Sequence, residues 1–207
     1  MKKKEKKFSN EFKSIITGCL LGDGGMRIFK RGKNPSFNYT DKHLEFITYI
    51  KELFEKNDVR CSKIYTSKST GCYSFQTECL IEFLPLYDLF YSDKTKKQMR
   101  KVLPDITLDS IMLRLWYIGD GSVKKQFQTL NNACQISCKY NNELILNQFK
   151  VLFHPNCNWY PDKTCGVFYI PHKGFQNLLD FIGECPVECY KYKWEVKRCS
   201  TTIINES

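Results

Sequence analysis

The sequence predicts an α+β fold made of two pseudo-symmetric αββαββα repeats, and three observations predict it. An apolar segment ending in Gly-Asp-Gly occurs twice, as Ile16–Gly24 and Leu113–Gly121, aligned without a gap. Each copy is followed by the same succession of patterns: two strand-like runs, an amphipathic helix, two further strand-like runs and a helix. The chain has 207 residues, a length that accommodates one large domain or two units of about 100 residues. The internal repeat decides for two.

In the first repeat the alternation of apolar and polar residues predicts strands near Met26–Lys30, Ser36–Thr40, Lys63–Ser67 and Tyr73–Thr77. A helix over Leu44–Glu55 is predicted between the pairs, with Leu44, Ile47, Ile50, Leu53 and Phe54 on one face. The second repeat repeats this with strands near Lys124–Leu130, Ala133–Lys139, Asn158–Tyr160 and Gly166–Ile170, and a helix over Glu143–Phe153. Between them, Tyr91–Pro104 is polar and basic, and Pro104 disfavours helix just before it. The boundary is therefore expected near Asp105, giving a basic tail at 1–7, repeats at 8–105 and 106–200, and a second tail at 201–207. Thr107 or Asp109 is expected to cap the second motif helix.

Composition narrows the function classes. With 42% hydrophobic and 14% aromatic residues the chain is too apolar to be disordered, and no apolar run approaches the roughly 18 residues that cross a bilayer. A soluble globular protein without a membrane partner is expected. The net charge of +10 favours a polyanionic partner, because lysine and arginine gain affinity for phosphates by releasing counterions. Eleven cysteines without an apolar leader are expected as reduced thiols in an intracellular compartment. Cys134/Cys138 and Cys185/Cys189 lack the close Cys-x-x-Cys spacing and partner histidines of a structural zinc site. His43, His154 and His172 form no recognisable cluster, which argues against a nuclease centre built on His and Asn. A single alanine, Ala133, beside many Lys, Asn, Ile, Phe and Tyr hints at an AT-rich genome such as that of an organelle or virus.

The two triplets carry the chemistry. Gly18 and Gly22 share a helix face and permit another backbone to approach, at a helix-propensity cost of about 1 kcal/mol each. The second segment keeps Gly119 but has Leu115 where the first has Gly18, so the packing need not be symmetrical. Asp23 and Asp120 each sit where a helix ends and its dipole is negative, so a carboxylate there is disfavoured unless a cation offsets it. If the glycine faces pack together, the two acids meet and form a hard oxygen site suited to Mg²⁺ or Mn²⁺, completed by phosphate and water.

Strand alternation also separates two faces. Cys134, Ile136 and Cys138 are expected to face the helices, and Gln135, Ser137 and Lys139 to face outward. The same reasoning turns Lys63, Tyr65 and Ser67 outward against Ile64, and Lys124, Gln126 and Gln128 outward against Phe127. Such faces can hydrogen-bond base edges and phosphates.

The paired motifs, the repeat order, Arg100-Lys-Val-Leu-Pro104 and Pro186-Val-Glu-Cys-Tyr-Lys191 together resemble the LAGLIDADG homing endonucleases, in the branch where two repeats share one chain. The similarity runs from about Phe12 to Lys197. It implies repeats packed through the motif helices, with two curved antiparallel sheets forming a saddle over double-stranded DNA. It further implies a monomeric endonuclease that breaks both strands of a long specific target by Mg²⁺-dependent hydrolysis. Asp23 and Asp120 then bind metal, with the carbonyls of Gly22 and Gly119 as further ligands. Lys101 and Lys191 are the basic residues beside the scissile phosphates, with Lys97 and Lys193 as their nearest rivals. Arg27, Lys30, Arg31 and Lys33 are expected to reach flanking DNA from a loop or strand end. A maturase acting on intron RNA and a non-catalytic DNA-binding protein are the alternatives on the same fold.

Overall fold

A computed structural model of the protein describes residues 7–91, 102–125, 132–161 and 165–195. The first motif helix, α1 (Asn10–Leu21), begins where the Ser9 hydroxyl accepts from the Phe12 N–H at 3.1 Å. The second, α4 (Ser110–Asp120), begins at Asp109, whose carboxylate accepts from the Met112 N–H at 2.8 Å. Of the two caps expected for α4, the structure uses Asp109. Its other carboxylate oxygen accepts from the Ser14 hydroxyl, so one side chain both caps α4 and ties it to α1.

Between these helices lie β1 (Gly25–Arg27), β2 (Ser36–Asp41), α2 (Leu44–Lys56), β3 (Tyr65–Thr66), β4 (Tyr73–Gln76) and α3 (Leu84–Phe90). After α4 come β5 (Gly121–Lys125), β6 (Asn132–Cys138), α5 (Glu143–Leu152), β7 (Asn158–Tyr160), β8 (Gly166–Ile170) and α6 (His172–Ile182). The two sheets have the same antiparallel order, β1-β2-β4-β3 and β5-β6-β8-β7. The predicted duplication is therefore present in the topology and not only in the motifs.

Each sheet buries one face. Phe37, Tyr39 and Phe75 pack inward in the first sheet, and Cys134, Ile136, Phe168 and Ile170 in the second. Aromatic contacts knit these faces to the helices: Phe37 stacks on Phe54 of α2 at 4.5 Å, and Trp116 of α4 meets Phe168 edge-on at 5.9 Å. Among the described residues no helix is long and apolar enough to cross a membrane.

Several predicted bounds shift for local reasons. β1 stops at Arg27 because the chain turns at Phe29–Gly32, where the Gly32 N–H donates to the Phe29 carbonyl at 2.8 Å. Lys63 lies outside β3. There the Ser62 hydroxyl accepts from the Gln76 N–H at 3.1 Å, displacing the ladder between the Cys61–Thr77 bridge and Tyr65. β5 starts three residues early, directly from the helix end. Leu44 is 47% exposed at the first turn of α2, and Phe46 is buried in its place.

Candidate active site and nucleic-acid face

The contact between α1 and α4 is graded along its length. A Cβ at Gly18 would lie 2.7 Å from the Met112 carbonyl oxygen and 3.0 Å from the Leu115 Cβ. One turn later Gly22 and Gly119 face each other, a Cβ on Gly119 falling 3.5 Å from the Gly22 Cα. Ser14 meets Asp109, Gly18 meets Met112 and Leu115, and Gly22 meets Gly119, so the helices run side by side in one direction. Their carboxyl-terminal ends converge. A Cβ at Gly119 would sit 3.4 Å from the Asp23 Oδ2, which places the first repeat's carboxylate over the second repeat's motif.

The two triplets are built differently. α1 ends at Leu21, and Gly22–Asp23 forms a turn in which the Gly24 N–H donates to the Cys19 carbonyl at 2.8 Å. α4 runs through Asp120, and Gly121 enters β5 at once, with the Tyr117 ring where a Cβ at Gly121 would stand, 2.0 Å away. The Tyr117 carbonyl oxygen would stand only 2.3 Å from the same Cβ, so a larger residue at 121 would collide with backbone as well as with the ring. Asp23 is exposed and Asp120 is half-buried, so the pair combines an accessible acid with a sheltered one.

A strap after α6 completes the site. Its 3₁₀ segment, Glu188–Lys193, leaves the second repeat and docks on the first. The Glu45 carboxylate accepts from the Glu188 and Cys189 N–H groups at 2.7 and 3.0 Å, and those bonds hold its pKa below the usual carboxylate value. The Tyr190 hydroxyl donates to Asp41 Oδ2 at 2.7 Å. Asp41 closes β2 and is itself buried, at 7% exposure. The strap then returns to the second repeat, where the Tyr117 hydroxyl donates to the Lys193 carbonyl at 2.7 Å.

This path buries Lys193, which is 6% exposed, beneath the end of α4. Its ammonium donates to the carbonyls of Ile118 and Tyr117 and lies 4.9 Å over the Tyr190 ring. Burial lowers its pKa, and the charges of Asp120, Asp23 and Asp41 oppose that shift, so this lysine lies in the field of both motif acids. Lys191 does not. Its side chain is 57% exposed and pairs with Glu188 at 2.5 Å. Lys101, Lys97, Gln126 and Gln128 lie outside the described residues.

Two inward-facing residues escaped the sequence reading. The Tyr39 hydroxyl is buried and has no hydrogen-bond partner among the described residues; burial first, then Cys19, Asp23, Asp41 and Asp120, raise its pKa. Asp41 is the other. Strand alternation was the available signal, since both share the register of buried Phe37, and an acid on an inner face needs a partner.

Among the described residues no three His, Cys, Asp or Glu side chains gather as a metal cluster. The donor set is instead the Asp23 carboxylate over the facing Gly22 and Gly119 backbones and Asp120 at the end of α4, with the orphaned Tyr39 hydroxyl in the field of both acids. Such a set fits a hard divalent cation that keeps water and phosphate oxygens in its shell, and does not fit zinc.

Of the predicted DNA-contacting residues, Arg27, Lys30, Arg31, Lys33, Lys63, Tyr65, Lys124 and Lys139 are exposed, and Ser67, Gln135 and Ser137 are half-exposed. Arg27, Tyr65, Lys124, Gln135 and Ser137 belong to the sheets, Lys139 follows the end of β6, and Lys30, Arg31, Lys33, Lys63 and Ser67 lie in loops beside the first sheet. A cleft of about 500 Å³ lined by Gly22, Asp120, Ser137, Cys138, Lys139 and Tyr140, among others, joins the motif ends to the second sheet.

Comparison with known proteins agrees with this architecture. A curated relative, the probable intron-encoded endonuclease 1 of Wickerhamomyces canadensis, is 23% identical over 191 residues, covering 86% of this chain and 81% of its own. The homing endonuclease I-WcaI, solved bound to its DNA recognition sequence, superposes with a TM-score of 0.73 at 20% identity, covering 92% of this chain and 88% of that one. I-DmoI, solved with DNA and Mn, gives 0.53 at 13% identity, covering 86% and 98%. The profile of the LAGLIDADG DNA endonuclease family matches residues 13–178, and the chain belongs to that family.

Proposed function

We propose that this protein is a site-specific homing endonuclease that makes a double-strand break in a long DNA target by divalent-metal-dependent phosphodiester hydrolysis. The observation that carries the reading is the glycine-on-glycine contact of Gly22 with Gly119, which brings Asp23 and Asp120 to one end of two parallel helices. Folding alone does not ask for two acids at dipole-negative helix ends.

In this reading Asp23 and Asp120 hold the cation, with the Gly22 and Gly119 carbonyls as further ligands. Mg²⁺ or Mn²⁺ supplies Lewis acidity toward the phosphodiester and a source of nucleophile at neutral pH. The I-DmoI structure, solved with Mn, supports a divalent metal. Lys193, held by backbone carbonyls and by the strap, places a fixed positive charge where negative charge develops on the phosphate. We assign this role in the second repeat to Lys193 in preference to the exposed Lys191, and Lys101 remains the proposed counterpart in the first.

The outward faces of the two sheets, with the basic loop at Lys30–Lys33, take the two halves of the target, and one chain suffices because it carries both repeats. We place the division between repeats at 105/106. The relative described as intron-encoded supports an origin in a mobile, organelle- or virus-borne element. Cleavage selection from a randomised duplex library in Mg²⁺ and in Mn²⁺ tests the reading. A recovered target cut on both strands supports it; DNA that is retained and never cut points to a non-catalytic binder, and no retained duplex together with binding of intron RNA in a parallel gel-retention assay points to a maturase.

A further inference from the structure

The two sheets share a topology, yet their outward faces differ in chemistry. In the first sheet, the register pairs Asn38 with Gln76 and Thr40 with Ser74, all on the face opposite buried Phe37, Tyr39 and Phe75. These residues line a groove of about 300 Å³ together with Arg27, Ser62 and Tyr65. Arg27 is pinned there. Its guanidinium donates to Gln76 Oε1 and lies 4.6 Å over the Phe29 ring, so its fork is oriented before any ligand arrives. Apart from the exposed Tyr65 ring at its edge, the outward side chains of this groove are short polar groups and the Arg27 fork, with no aliphatic side chain among them.

The second sheet presents a different row. Ser137 pairs with Val167, and Val167 pairs in turn with Tyr160; Gln135 pairs with Tyr169. All lie opposite buried Ile136 and Phe168. Tyr160 is 48% exposed and meets Tyr169 edge-on at 6.0 Å, so ring surface and a valine form a small outward apolar step. That step adjoins exposed Lys139 and the cleft leading to Asp120, which gives it a cationic margin and continuity with the motif ends. In the major groove the one apolar group on a base edge is the thymine methyl, whereas arginine, asparagine and glutamine match purine edges.

We infer that the two halves of the target are read by different chemistry. Purine edges are read through Arg27, Asn38 and Gln76 under the first sheet, and thymine methyls against Val167, Tyr160 and Tyr169 under the second. This rests on the reading that the sheets bind duplex DNA, and goes beyond it by assigning a base class to each half.

The test is a binding selection from randomised duplexes with the full chain, read by gel retention without cleavage, followed by replacement of each thymine by uracil. Loss of one buried methyl is worth roughly 0.8 kcal/mol, so about a fourfold weaker binding is expected at one or more thymines of one half. Val167→Ala or Tyr160→Ala should abolish that uracil penalty and leave the other half's preferences intact. Arg27→Ala should flatten a guanine preference in the opposite half. The inference is overturned if no sequence is enriched, if uracil is neutral throughout, or if the uracil penalty falls in the half that Arg27→Ala alters. Enriched duplexes that show the uracil penalty and are never cut in Mg²⁺ or Mn²⁺ would uphold this inference while contradicting the endonuclease reading.

Discussion

Leu115 packs into the space that Gly18 leaves open: it is 1% exposed, and its Cβ lies 3.0 Å from where a Cβ on Gly18 would be. A large residue on one helix faces a small one on the other, and only at Gly22 and Gly119 do both helices go small. The interface is complementary rather than symmetric, and it closes toward the end that carries the acids.

Gly18→Ala is therefore expected to destabilise the protein although alanine favours helix. The added methyl meets the Met112 backbone, which cannot swing aside, so overpacking of about 1–3 kcal/mol outweighs a propensity gain of about 1 kcal/mol. Leu115→Ala should cost about 2–5 kcal/mol through the cavity it leaves. Denaturant midpoints measure both; a Gly18→Ala protein more stable than the parent contradicts the close approach.

Lys193 and Lys191 are two residues apart and should behave as opposites. Lys193→Met is expected to lower the cleavage rate about 10²–10³-fold while DNA affinity changes little, since a preorganised charge at the reacting phosphate is lost. Lys191→Met removes an exposed, solvent-screened ion pair and should leave both stability and cleavage near the parent level. Single-turnover cleavage alongside gel retention separates the two, and the reverse ranking would contradict the assignment.

The strap should loosen in acid. Glu45 is held below its usual pKa of 4.5 by two backbone N–H donors, so its contribution is fully present above that value and lost as pH falls through the lower folded value. Trp194, whose ring N–H donates to the Gly183 carbonyl at 2.7 Å beside the strap's end, reports the docking by fluorescence. Glu45→Gln should differ from the parent at neutral pH and converge with it in acid. Convergence already complete above pH 4.5 would contradict the bonding.

Tyr190→Phe removes the hydroxyl that Asp41 accepts from and leaves a buried carboxylate short of a partner. A loss of about 1–3 kcal/mol is expected in denaturant unfolding. An unchanged midpoint would contradict a stabilising bond between Tyr190 and Asp41.

Much of this was legible in the chain because the repeat is legible: two in-register triplets with the same periodicities after them determine element order, and β7 and β8 fall at their predicted bounds. Local contacts set what periodicity does not encode. The Ser62 hydroxyl displaces the β3 ladder, and β5 leaves α4 directly at Gly121, where Tyr117 leaves no room for a side chain. The candidate site was half legible. Asp23 and Asp120 sit in a repeated motif, whereas Lys193 and Lys191 flank one tyrosine, and only the strap's path across the first repeat separates buried from exposed. Asp41 owes its place to Tyr190, 149 positions away, a partnership no local pattern announces.

Asp23 and Asp120 are expected to act as one metal-dependent cleavage centre. The direct measurement compares the parent with Asp23→Asn and Asp120→Asn for strand cleavage and for affinity on a selected target in Mg²⁺. Cleavage should fall by at least about 100-fold in each variant while gel retention stays near the parent level. Mg²⁺-dependent cutting of both strands that survives both substitutions would contradict the account.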